Sequence, residues 1–138
     1  MTPTPEEIHR FLADEFPAAA GVECVEVGSR HAVARWIHDP SGLRPGQLIS
    51  GPTQFSLADT ALYFAVFGAI GIESMAVTAD LSIKFLRPAA GGDLLARADL
   101  LHVGRTRIYG EIHLWVEGDA DTRVAHATGT YVRPPKRA

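Results

Sequence analysis

Ile8, Phe11 and Leu12 recur at helical spacing just after Thr4-Pro5-Glu6-Glu7. Thr4 is a capping residue, Pro5 fits the first helical position, and Glu7 completes a capping box, so the pattern predicts a helix over 4–16 ended by Phe16-Pro17. Two short apolar stretches, 22–27 and 31–37, read as strands joined by the turn Gly28-Ser29-Arg30. Residues 38–46 are rich in Pro and Gly and read as a loop. From Ser50 to Ile70 apolar residues fall on nearly every side, which predicts a long helix buried all round, with Gly68 and Gly71 at its frayed end. The second half changes to a period of two. It predicts strands over 75–86, 93–103, 106–116 and 122–132, with turns at 87–92, 104–105 and 117–121 and a tail at 134–137. In the first of these strands Val77, Ala79, Leu81, Ile83 and Phe85 share one side, and Thr78, Asp80, Ser82 and Lys84 the other.

Short turns imply antiparallel neighbours. The long apolar helix is the one element able to cover the apolar face of such a sheet. The layout is therefore α+β: a curved, antiparallel, six-stranded sheet wrapped around a central helix, in one domain over 1–138. Six open strands leave edges, and edge pairing between two copies would cover them. With 138 residues and a net charge of −3, without a basic block, nucleic acid is not the expected partner. Cys24 is the single cysteine, so no internal disulfide forms. The polar start is not a signal peptide, and the apolar helix carries Gln54 and Asp59 with no basic anchors close by, so a cytoplasmic protein outside the membrane is expected.

Asp59 is the only charged residue of the apolar helix. A buried carboxylate is costly unless paired, hydrogen-bonded or protonated. It lies about two turns after Ser50-Gly51-Pro52, where free amides at a helix start can hold an oxyanion. Such a pair suits acyl chemistry. The other reading is an Asp that bonds a neighbouring Ser, Thr or Arg for structural reasons alone.

Several segments resemble, in order and spacing, the hotdog-fold thioesterases of the phenylacetate-degradation type. Phe55-Ser56-Leu57-Ala58-Asp59-Thr60-Ala61 resembles the active helix, and Val77 to Ala89 the strand that follows. Gly92 to Ala98 with Gly104-Arg105 resembles the next hairpin, and Ala125 to Val132 the last strand. The resemblance implies the hotdog fold and hydrolysis of acyl-CoA thioesters. It implies Asp59 as nucleophile or general base, Gly51 N–H as the group polarising the carbonyl, and Thr78 as an orienting hydroxyl that some relatives supply from the partner subunit. It also implies a homodimer, or a tetramer built of two dimers, with no cofactor. The chain departs from the family where His precedes the glycine, which is Ser50 here, and where Asn stands six residues earlier, which is Arg44. Pro52 further removes one backbone donor.

Ser50, Arg44, Pro52, Phe55 and Tyr63 are accordingly expected around the substrate, in an apolar or aryl pocket to which Leu62 and Phe67 also belong. Arg105, flanking a turn with Arg107 and Arg87, is a candidate for coenzyme A phosphates. Trp36 and Trp115 fit core or interface positions. His31, His38, His102, His113 and His126 fall on different strands without ligand spacing, so no metal is expected. No nucleophile elbow, phosphate loop or dinucleotide fingerprint is present. The rival functions are a non-hydrolytic acyl-CoA binding protein with the same pocket, a hotdog dehydratase or hydratase, for which the helix lacks the needed His, and a purely structural module.

Overall fold

The computed structural model describes residues 1–135. Lys136 and Arg137 of the expected tail lie outside them. Helix α1 spans Pro5–Glu15. Its capping box forms as the sequence predicts, with Glu7 N donating to Thr4 Oγ1 at 3.1 Å and Thr4 N to Glu7 Oε1 at 3.0 Å. Strands β1 (Val22–Val27) and β2 (His31–Trp36) follow. The expected loop instead contains a small hairpin, β3 (Leu43–Arg44) with β4 (Leu48–Ile49), closed by Gly46 and Gln47 at positive φ. Helix α2 is Gly51–Ile70, and β5 (Val77–Phe85), β6 (Leu94–Val103), β7 (Arg107–Val116) and β8 (Ala125–Val132) complete the chain.

Six strands form one antiparallel sheet in the order β1-β2-β6-β7-β8-β5, and α2 packs across it, the hotdog arrangement. The helix settles deeply because the facing positions are small: Ala96, Ala98, Ala125, Ala127 and the paired Gly110 and Gly129. Its far end is not frayed. Gly68 is buried there and must be glycine, because a Cβ would stand 1.9 Å from Gly28 O, and Gly71, at φ +89°, stops the helix. Strand β8 starts at Ala125 rather than Thr122, since residues 117–122 are taken up in turns.

Two departures from the sequence pattern shape the site. The helix α2 is not buried all round in one chain: Pro52, Phe55 and Ser56 are exposed and Asp59 is half-buried, all along one stripe of the helix. Strand β5, at the sheet edge, carries a bulge at Ala79. Downstream, Leu81 and Ile83 face the helix. Upstream, the extra residue reverses the phase and Thr78 pairs with helix-facing Tyr131. Thr78 therefore lies on the helix side, not with Asp80, Ser82 and Lys84.

An ion cluster holds the approach to α2. Arg35 Nη1 donates to Asp93 at 3.0 Å and to Glu117, while Asp93 Oδ1 accepts from His38 N at 2.8 Å. The His38 amide, and after it Arg35, hold the Asp93 carboxyl below the usual carboxylate range. Its stabilising contribution is complete above the ordinary value of 3.8 and is lost as pH falls below it. Asp93→Asn should thus lower the melting temperature at neutral pH, and the gap to the unmodified protein should narrow as pH falls below 3.8 in thermal denaturation.

Candidate active site

The first turn of α2 retains one unused amide. Ser50 N donates to Gly42 O, Pro52 has no N–H, Thr53 N donates to Ser50 Oγ at 3.2 Å, and Gln54 N donates to Ser50 O. Among the described residues, only Gly51 N–H in this turn lacks an acceptor. Ser50 does not stand in for a histidine. Its hydroxyl accepts from Thr53 N and donates to Thr53 Oγ1 at 2.8 Å, and Thr53 Oγ1 donates on to Gly42 O, so the Ser50 side chain is committed to capping. The ring of Phe85 covers one side of Gly51, with its Cζ 3.3 Å from where a Cβ would be.

Two turns on, Asp59 is gripped by two hydroxyls. Thr78 Oγ1 and Tyr131 OH both donate to Asp59 Oδ1 at 2.8 Å. Oδ2 accepts from no described group. The Thr78 contact is made within one chain, whereas the family resemblance pointed to a hydroxyl that some relatives take from the partner subunit. Tyr131 is a residue the sequence reading missed. The alternation of Ala125, Ala127, Gly129 and Tyr131 on the buried side of β8 was the available signal, because it aims a phenol at α2. Burial, then the charge of Asp59, push the Tyr131 hydroxyl well above its ordinary value, so it remains a neutral donor. Tyr131→Phe deletes only the O–H. It should lower kcat/KM about 10-fold and stability by roughly 1–2 kcal/mol, read by steady-state kinetics and thermal denaturation.

Asp59 lines a cavity of about 230 Å³ with Phe16, Ser56, Tyr63 and Tyr131. Tyr63 stacks on Tyr131 at 5.7 Å and meets Phe16 edge-on at 6.2 Å, and burial raises its hydroxyl pKa to about 12. A second cavity, of about 520 Å³, continues along the same side of α2 past Ser56, Pro52 and Thr53 to His38. Phe55 is exposed on the outward stripe. Arg44 lines a third cavity, of about 370 Å³, together with Gly51 and Gln54. Arg105 is exposed and lines none of these; it borders a separate cavity with Arg133. Cys24 is buried, and burial followed by nearby glutamates pushes its thiol up to about 12, so it offers no thiolate. Among the described residues, no three His, Cys, Asp or Glu side chains are grouped to hold a metal, and no helix is long and apolar enough to cross a membrane.

The arrangement joins a carboxylate, oriented through one oxygen, to a single free amide at a helix start. These are the parts for adding water to an activated carbonyl. Comparison with solved structures points the same way. A protein from Silicibacter sp. TM1040, described provisionally as a thioesterase, is 36% identical over 96% of this chain and 92% of its own, with a TM-score of 0.86. The E. coli PaaI protein from the phenylacetic acid degradation operon is 26% identical over 94% of this chain and 92% of its own, with a TM-score of 0.79. Zebra fish thioesterase superfamily member 2, 20% identical over 96% of this chain and all of its own, shares the fold with a TM-score of 0.81. A comparison with curated protein sequences yields no match. The Thioesterase superfamily profile matches residues 46–123, more than half of the chain, and with the 36% identity to the Silicibacter protein this shows that the chain belongs to the thioesterase superfamily.

Proposed function

We propose that this thioester hydrolase converts acyl-CoA to free acid and coenzyme A, in sites that two copies of the chain build together. The observation that carries the reading is Asp59, with Oδ1 held by Thr78 and Tyr131 and Oδ2 left to act. Oδ2 takes a proton from water as the water attacks the carbonyl, or attacks the carbonyl itself to form an anhydride. Gly51 N–H, reinforced by the helix dipole, receives the developing oxyanion. Collapse of the tetrahedral intermediate expels a thiolate. A thiol of pKa about 8.5 leaves without prior protonation, so the absence of the family histidine at Ser50 removes no obligatory acid.

Distance argues for two copies. Eight residues separate Gly51 from Asp59 on α2, about 12 Å of helix rise, too far for one chain's pair to serve one carbonyl. Strand β5 is an open edge, with Gly51 beside its Phe85 end and Asp59 beside its Thr78 end. Antiparallel pairing of β5 with its copy lays one end against the other and brings Gly51 toward the partner's Asp59. The same contact covers Val77, Phe85, Leu86 and Phe55, each between 40 and 55% exposed. A homodimer, alone or doubled into a tetramer, and a cytoplasmic location belong to this proposal. A panel of short, long and aryl acyl-CoA esters tests it: turnover of at least one class is expected, whereas tight binding without turnover across the panel would identify a binding protein instead.

A further inference from the structure

We propose that the cavity at the start of α2 binds a carboxylate borne by the acyl group, so that the preferred substrates are thioesters of short dicarboxylic acids. The inference rests on the thioesterase reading above and adds the substrate class. The cavity, of about 370 Å³, is lined by Arg44, Gly51, Gln54, Phe85 and Arg87 among aliphatic neighbours, and by no acidic residue. Neither guanidinium forms a salt bridge among the described residues. Arg87 spends one N–H on Arg123 O and keeps the rest of its fork. Two uncompensated cations beside a helix start make this cavity strongly attractive to an anion.

Gln54 supplies the independent observation. The residue is 5% exposed, Nε2 donates to Ile49 O at 3.1 Å, and Oε1 has no partner among the described residues. A buried acceptor left empty is costly. Besides Gln54 itself, whose Nε2 donates to Ile49 O, Arg44 and Arg87 are the residues lining the cavity whose side chains carry donors. A guanidinium docked on Gln54 Oε1 satisfies it through one edge and turns its remaining N–H groups outward, in the planar fork that grips a carboxylate with two bonds. Arg44 fits this part best, because it sits on the short hairpin directly before α2 and is exposed enough to swing in.

Position in the cavity identifies which anion. Gly51 lines the same space, so a thioester carbonyl held on its N–H lies a few atoms from the guanidiniums. The phosphates of coenzyme A lie at the far end of the pantetheine arm from that carbonyl. The anion that reaches Arg44 is therefore on the acyl side. Phe85 and the aliphatic wall accept the methylene chain between the two carbonyl carbons.

The test compares kcat/KM for glutaryl-CoA and valeryl-CoA, a pair of equal chain length with and without the carboxylate. The same pair is assayed as N-acetylcysteamine thioesters, which have no phosphates. The unmodified protein should prefer the glutaryl member about 10- to 100-fold in both pairs, the span expected for hydrogen bonds to a charged group. Arg44→Met should bring both ratios close to unity, mainly through KM, and Arg44→Lys should recover part of the preference. A preference for the valeryl member, or a glutaryl preference that Arg44→Met leaves intact, overturns the inference while the thioesterase reading stands. Equal slowing of both CoA esters by Arg44→Met, with no change in either N-acetylcysteamine ester, assigns Arg44 to a phosphate and also overturns it. Absence of turnover for every ester removes the thioesterase reading, and the inference falls with it.

Discussion

Asp59→Asn is expected to lower turnover of the best acyl-CoA substrate about 10²–10⁴-fold, the range for loss of a positioned general base, while the protein stays folded and oligomeric. Asn retains an oxygen that accepts from Thr78 Oγ1 and Tyr131 OH, so the hydroxyl grip survives. What changes is the other arm. The Asp59 oxygen left free in the structure becomes an NH₂ group, a donor that can neither take a proton from water nor attack a carbonyl. If the carboxylate only satisfied Thr78 and Tyr131, the opposite pattern would appear: Asp59→Ala would cost about 1–3 kcal/mol per stranded partner, and activity per folded molecule would survive. Thermal denaturation read beside kcat separates the two, and a folded Asp59→Asn protein with near-normal turnover would remove Asp59 from the chemistry. A single turnover in ¹⁸O water then tests for covalent attack. Label enters the Asp59 carboxylate only if an anhydride forms there and water opens it at the aspartyl carbon; label confined to the product acid fits direct attack by water or opening of an anhydride at the acyl carbon.

The fold was largely legible because its signals are local. The capping box of Thr4 and Glu7, the limits of β1, the long apolar helix and the alternation of β7 and β8 each follow from neighbours in the chain. The candidate site was legible only in outline. Asp59 stood out as a charge in an apolar helix, and Gly51 through the family pattern. The bulge at Ala79 did not, because strict alternation carried from Leu81 and Ile83 places Thr78 on the wrong face, and only pairing with β8 reveals the extra residue. Tyr131 was hidden for a similar reason: a tyrosine on a strand of small residues acquires meaning once α2 is laid over it. Ser50 stands in the slot where the family has His, yet its hydroxyl caps the helix start and holds it to Gly42 through Thr53. Gln54 read as one more polar residue in the helix. That its Oε1 is buried without a donor is a property of the packed state alone.

Mixing two inactive variants should restore activity if each site takes Gly51 from one copy and Asp59 from the other. Gly51→Val sets a branched side chain beside the free amide and against the Phe85 ring, which is 52% exposed and has room to move aside. The fold should therefore persist while the carbonyl loses its donor, a loss of about 10²–10³-fold in kcat by analogy with other oxyanion donors. Asp59→Asn disables the other half. In a two-fold dimer formed from one chain of each variant, both lesions fall in one site and the second site is intact. Co-refolding equal amounts gives such mixed dimers as about half of the population, each with one working site of two, so recovery should approach about a quarter of the unmodified activity. Light scattering should show each variant as at least twice the 14.9 kDa chain. Sites contained within single chains predict no recovery at any mixing ratio. A stable monomer of full activity would likewise end the shared-site proposal, and would require Gly51 and Asp59 to act across the 12 Å or so that the helix rise places between them.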